Sequence, residues 1–190
     1  MNSRAANQKR LRNSSTWCVV LSVAALFLFS AGLLHAQLDE RAVRAAFVFN
    51  LTKYVSWPHS GERLVVGVIG EGSAGPDLKQ VLEGKVSDGR RIMVVIHPSD
   101  TELRECDLLY VVEPSYARIR SILDRVSSRA VLTVGDTEQF TRAGGMVGLV
   151  RSGDQIEIQV NLEALRSRRL EMSSRLLNLA VIVSGSGGIR

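Results

Sequence analysis

Histidine and cysteine are scarce in this chain of 190 residues, with 3 and 2 copies, and Cys18 and Cys106 lie far apart. His59 and His97 belong to no cluster with metal-ligand spacing, so no metal site is expected, and each reads as a loop residue beside proline or serine. No serine sits in a GxSxG elbow, and the acidic residues are spread singly rather than paired. Nucleophilic and two-carboxylate hydrolase chemistry are therefore not suggested. A glycine pattern is present, Gly70-Glu71-Gly72 with Gly75, after a predicted strand. The next strand should end in an acid but ends Ile96-His97-Pro98, and Asp77 at the start of the following helix repels an anion. Dinucleotide binding is not expected. Neither an enzyme nor a cofactor is legible here.

One apolar run is long, and it stands at the N-terminus. Arg4, Lys9, Arg10 and Arg12 precede Trp17 to Leu34, and small residues follow at Ser30-Ala31-Gly32 and Ala36. That order is the secretory pattern, with cleavage expected after Ala36. Residues 1–36 are thus read as a signal peptide and 37–190 as the mature domain; the alternative is an uncleaved anchor. Cys18 opens the apolar run, the wrong place for lipidation.

The leader dominates the charge balance. The chain has 24 Lys+Arg against 19 Asp+Glu, net +5. Four of the bases and none of the acids lie in the leader, which leaves 20 against 19, net +1. Nucleic-acid binding loses its compositional support. Arg166, Arg168 and Arg169 read as the solvated face of a helix. Cys106 is the only cysteine left, so no intramolecular bridge can form. Either it is a small buried apolar residue at a strand edge, or it makes an intermolecular disulfide. Its acidic neighbours Glu105 and Asp107 should raise the thiol pKa.

Residues 37–190 are enough for one domain with a substantial core. Asp39 to Trp57 reads as a helix with Val43, Ala46, Phe47, Asn50, Leu51 and Tyr54 on one face, stopped by Pro58. Leu64–Ile69, Arg91–Ile96, Asp107–Val112 and Ala130–Val134 are near-continuous Val, Ile and Leu, as in parallel strands buried on both faces. Helices are expected around Pro76–Leu82 and over Ile119, Ile122, Leu123 and Val126. Gly145–Val150 and Gln155–Val160 flank a hairpin turn at Arg151-Ser152-Gly153-Asp154. Asn161 is expected to cap a helical stretch to about Val183, bent near Glu171–Ser173, with a frayed Ser184–Gly188 tail. The expected fold is α/β: a three-layer domain with a mostly parallel sheet ending in an antiparallel hairpin.

Three stretches have unusual local composition: Lys53-Tyr54-Val55-Ser56-Trp57-Pro58; Val134-Gly135-Asp136 with Phe140 and Gly144-Gly145; and Met172-Ser173-Ser174-Arg175-Leu176-Leu177. Trp57 either plugs the core or contacts a partner. Gly144 and Gly145 suit a turn with positive φ, and Asp136 suits a helix cap. Arg175 either ion-pairs internally or lines a small-ligand pocket.

In that order the stretches resemble the YfiR family of periplasmic proteins. The matching segments are a KYVxWP-type helix end at Lys53–Pro58 and VLTVGDxxxFxxxGG at Val131–Gly145. The third is an N-x-x-A…L-x-x-S-x-x-LL-x-x-A ending at Asn161, Ala164, Leu170, Ser173, Leu176, Leu177 and Ala180. The resemblance implies a periplasmic repressor, not an enzyme. Its partner would be the periplasmic sensing domain of an inner-membrane diguanylate cyclase, or another membrane sensor. Repression would lower cyclic-di-GMP and biofilm formation, and an outer-membrane lipoprotein could sequester the repressor. It also implies a homodimer. Trp57, Pro58 and Arg175 are then the candidate partner or ligand contacts. The alternative is a periplasmic small-ligand-binding sensor domain acting on a membrane signalling protein.

Overall fold

The structure, a computed structural model, describes residues 41–58, 61–100, 103 and 105–184. The chain divides between Arg41 and Ala42, and the fold is that of the second unit. The expected signal peptide, Asp39, His59 and the tail at 185–188 lie outside the described residues.

Ala45, Val48 and Leu51 bury one face of α1 (residues 41–54). The helix stops sooner than the expected Trp57. Val55–Ser56 leave it as β1, because β-branched Val55 gains a cross-strand partner that a further helical turn would deny it. Trp57 then turns back, and its Nε1 donates to the Thr52 carbonyl at 3.3 Å. That satisfies one of the carbonyls a helix end leaves open. Thr52 is fully buried, and its hydroxyl bonds both the Phe49 carbonyl (2.6 Å) and Ser87 Oγ (2.8 Å).

Along the chain follow β2 (Arg63–Gly70), α2 (Ala74–Leu82), β3 (Val86–Ser87), β4 (Arg90–His97), β5 (Leu108–Val112) and α3 (Tyr116–Arg125). Then come β6 (Leu132–Gly135), α4 (Glu138–Arg142), β7 (Val147–Ser152) and β8 (Gln155–Asn161). The main sheet has the order β10-β8-β7-β6-β5-β2-β4-β3, with β10 defined below. Its central pairs, β4–β2–β5–β6–β7, are all parallel. β7 and β8 form the expected antiparallel hairpin, turned at Gly153 with φ +61, which suits the two-residue hairpin loops.

Residue parity in β5 builds the three layers. Leu108 and Tyr110 join a core with Leu51 of α1 and Leu82 of α2. Leu109 and Val111 join a second core with Ile119 and Ile122 of α3 and Phe140 of α4. Every strand residue from Leu108 to Val111 is therefore buried, which is why the run reads as continuously apolar. The fold class is as expected: α/β in three layers around a mostly parallel sheet.

The C-terminal third departs from the sequence expectation. Instead of one bent helix it makes α5 (Leu162–Ser167), β9 (Glu171–Met172), α6 (Ser174–Leu177) and β10 (Val181–Val183). Asn161 does cap α5, its side chain accepting from Ala164 N at 3.0 Å. The helix then breaks at Arg169, whose φ is +55. β10 adds in parallel beyond β8, so the hairpin is not the sheet's edge. Asp136 is not a cap: Thr137 occupies that position of α4. His97 is not a loop residue but the buried end of β4.

The Val131–Gly145 segment has a packing logic. Phe140 is 1% exposed, and a Cβ on either Gly135 or Gly145 would overlap its ring. Gly144 has φ +102 and makes the turn. The two outer glycines thus make room for the phenylalanine between them. Gly145→Ala should overpack this site and cost about 1–3 kcal/mol; urea unfolding measures it, and an unchanged midpoint would contradict the packing account.

Candidate functional site

In a doubly wound sheet the usual crevice lies at the carboxyl ends of the strands, where the winding reverses. Here that point lies between β2 and β5. It is closed: Gly70, at φ +122, packs so tightly on Val112 that a Cβ would overlap the Val112 carbonyl. The Gly70-Glu71-Gly72 turn therefore has a backbone reason for its first glycine. A groove of about 970 Å³ opens at the opposite edge, where the strands begin.

Its floor is a polar tie. Arg90, 9% exposed, donates from Nε and Nη2 to the Arg63 carbonyl at 3.1 and 2.6 Å. Nη2 also donates to Asp107 Oδ1 at 3.0 Å, and Asp107 Oδ2 accepts from Val65 N at 2.7 Å. Around it stand Arg63, Arg129, Arg168 and Arg169, with Glu105 and Asp107 as the acids. The expected solvated helix face does not hold for the C-terminal arginines. Arg168 closes α5 and donates to the Val126 carbonyl at 2.9 Å, and Arg169 lies beyond the helix. Burial pushes the Arg168 guanidinium down from its ordinary pKa, against the opposing pull of Asp124. Arg166 points elsewhere, into a hollow of about 580 Å³ against Ile182 and Val183.

Two of the three unusual stretches meet. β1 pairs antiparallel with β9, Val55 opposite Met172 and Ser56 opposite Glu171. Ser173 N donates to the Tyr54 carbonyl at 2.8 Å and extends the clasp. This register carries the chain beyond Ser56 towards the groove, which exposed Pro58 lines together with Arg169. Trp57 is half-buried against the core, so part of its indole faces outward. Arg175 follows β9 at the other end of the clasp. It is exposed, makes no ion pair with a described residue and lines neither cavity, so the two roles expected for it do not hold. Beside the clasp the Nζ atoms of Lys53 and Lys85 lie 4.2 and 5.2 Å from the Phe49 ring centre.

Cys106 also lines the groove and is partly buried. Its thiol is pushed up to about 11, chiefly by burial, with Asp107 adding and Arg129 opposing. The direction matches expectation, but burial outweighs the acidic neighbours. Gly67 leaves room beneath it: a Cβ there would sit 2.9 Å from His97 Nε2 and 3.2 Å from Cys106 Sγ.

The family model of the YfiR/HmsC-like proteins matches residues 41–181, which takes in the whole sheet. The chain belongs to the YfiR/HmsC-like family. That family is periplasmic, regulatory and associated with membrane signalling proteins. Among the described residues of this YfiR-like chain, no helix is long and apolar enough to cross a membrane. No curated protein matches it. Among solved structures it is similar to an ABC domain from Streptococcus pneumonia in complex with L-Trp. The TM-score is 0.46 at 10% identity, covering 63% of this chain and 55% of that one. The chain spans little more than half of that structure, and a likeness this distant carries no argument.

Sequence reasoning missed the groove because its arginines come from four separate segments. The one local signal is Arg169, a side chain in the left-handed region where helix ends favour glycine. Arg169→Gly should raise stability by up to about 1 kcal/mol, read from the denaturation midpoint; a lower midpoint would mean that its contacts outweigh the strain. The raised Cys106 pKa makes two expectations. At pH 8 its thiolate is about a hundredfold scarcer than an ordinary thiol's, so a disulfide reagent should react far faster with the urea-unfolded chain than with the native one. Equal rates would refute the burial. Because the folded pKa lies above the unfolded one, the stability tied to the buried thiol is intact below pH 9 and is lost as pH climbs towards about 11.

Proposed function

We propose that the chain is exported, cleaved after Ala36, and acts in the periplasm as a repressor. It binds the periplasmic sensing domain of an inner-membrane diguanylate cyclase and so lowers cyclic-di-GMP and biofilm formation. The observation that carries the reading is the family match over residues 41–181. Repression by binding asks for an accessible, well-anchored surface rather than a catalytic constellation. The clasp suits that role, because Lys53, Ser56, Pro58, Glu171 and Arg175 are exposed on backbone held by β1 and β9. Trp57 offers an amphipathic ring of the kind enriched at interface centres. An outer-membrane lipoprotein that captures the same surface would relieve repression. A homodimer and an intermolecular bridge through Cys106 belong to the same proposal, although the buried thiol makes oxidation slow.

Deleting the gene should raise cellular cyclic-di-GMP, and the full chain supplied in trans should restore it. The chain lacking residues 1–36 should not. Arg175→Glu should weaken repression while leaving the denaturation midpoint within about 0.5 kcal/mol of the parent's, as exposed substitutions do. Unchanged cyclic-di-GMP in a deletion strain with active cyclases would overturn the reading.

A further inference from the structure

The floor of the groove carries a donor with nothing to donate to. Arg90 spends Nε and Nη2 on the Arg63 carbonyl and Asp107, but its Nη1 is buried without a hydrogen-bond partner among the described residues. An unmade bond on a buried charged group is costly, and folded proteins leave few of them. The acids nearby do not answer it. Asp107 is occupied by Arg90 Nη2 and Val65 N, and Glu105 is the one other acid in the described lining against five arginines.

Two further observations point to the same missing anion. Arg169 keeps a long cationic side chain at φ +55, where glycine would relieve the backbone, and it lines the groove. The partly buried Arg168 beside it has its charged form disfavoured by burial, a penalty that an anion would offset. Exposed Ser127 and Ser128 add hydroxyl donors at the rim.

We propose that this groove is a binding site for a small molecule bearing a carboxylate or phosphate group. The anionic group reaches Arg90 Nη1 at the floor, and Arg129, Arg168 and Arg169 supply the surrounding positive charge. Guanidinium forks match the planar geometry of both oxyanions. A cavity of about 970 Å³ is at the upper end of the range for small-molecule sites. A donor this buried is reached by a compact group rather than by a broad protein surface. The site stands independently of any cyclase.

Calorimetric titration tests it, on protein purified from the periplasm of cells expressing the full chain, at about 0.15 M salt, where exposed charges are screened. The probes are inorganic phosphate and citrate, which separate the two oxyanions, and an oligoglutamate peptide. Saturable binding of phosphate or citrate at one site per chain is expected. Arg129→Gln and Arg169→Gly should each weaken it about tenfold, as loss of a charge-assisted bond does. Arg142→Gln, on exposed α4, should leave it unchanged. Arg169→Gly separates binding from folding, since its midpoint should rise while its affinity falls. Absence of saturable binding, equal affinity in all variants, or binding of the peptide alone would each overturn the proposal.

Discussion

The starts of three parallel strands depend on one ion pair. Arg90 in β4 reaches across to the Arg63 carbonyl of β2, and Asp107, just before β5, reaches the Val65 amide of the same strand. A sheet of near-continuous Val, Ile and Leu has little else to fix register, because a slip of two residues restores an apolar residue to each core. The tie is directional where the apolar contacts are not. Burying it costs desolvation, which its hydrogen bonds to backbone groups offset. That arrangement is better suited to choosing one register than to adding stability.

Binding surfaces gather at that edge because the opposite one is shut. Close approach of Gly70 to Val112 fills the crevice where doubly wound sheets usually hold ligands. The strand starts are left open, rimmed by the segments that the clasp delivers. Pro58 arrives from β1 and Arg169 from just before β9, so clasp and groove are built from the same two stretches of chain.

Much of this was legible in the sequence. The parallel strands announced themselves by apolar runs, the hairpin by alternation around Gly153, and α5 by the cap at Asn161. The Phe140 segment was recognisable as a motif, although why its glycines are needed emerged only from the ring between them. The C-terminal third misled because Leu162 to Val183 has an apolar spacing that fits a helix. The break rests on Arg169 in a conformation usually signalled by glycine. Arg175 drew attention as a polar residue among leucines, yet a one-turn helix leaves it in solvent. The groove was invisible for a different reason: charges contributed singly by β2, β4, the α3–β6 connection and the end of α5 make no run in the sequence.

The clasp joins residues more than a hundred positions apart by a two-residue ladder. Closing so long a loop is entropically expensive, and few backbone bonds reward it. Contacts of such high order form late in folding and are among the first to open in the native state. Amide exchange in β1 and β9 is accordingly governed by local opening, well below the protection of β2 and β5. The surface best presented for recognition is thus the one the fold holds least firmly, which lets a partner shift its population at small energetic expense.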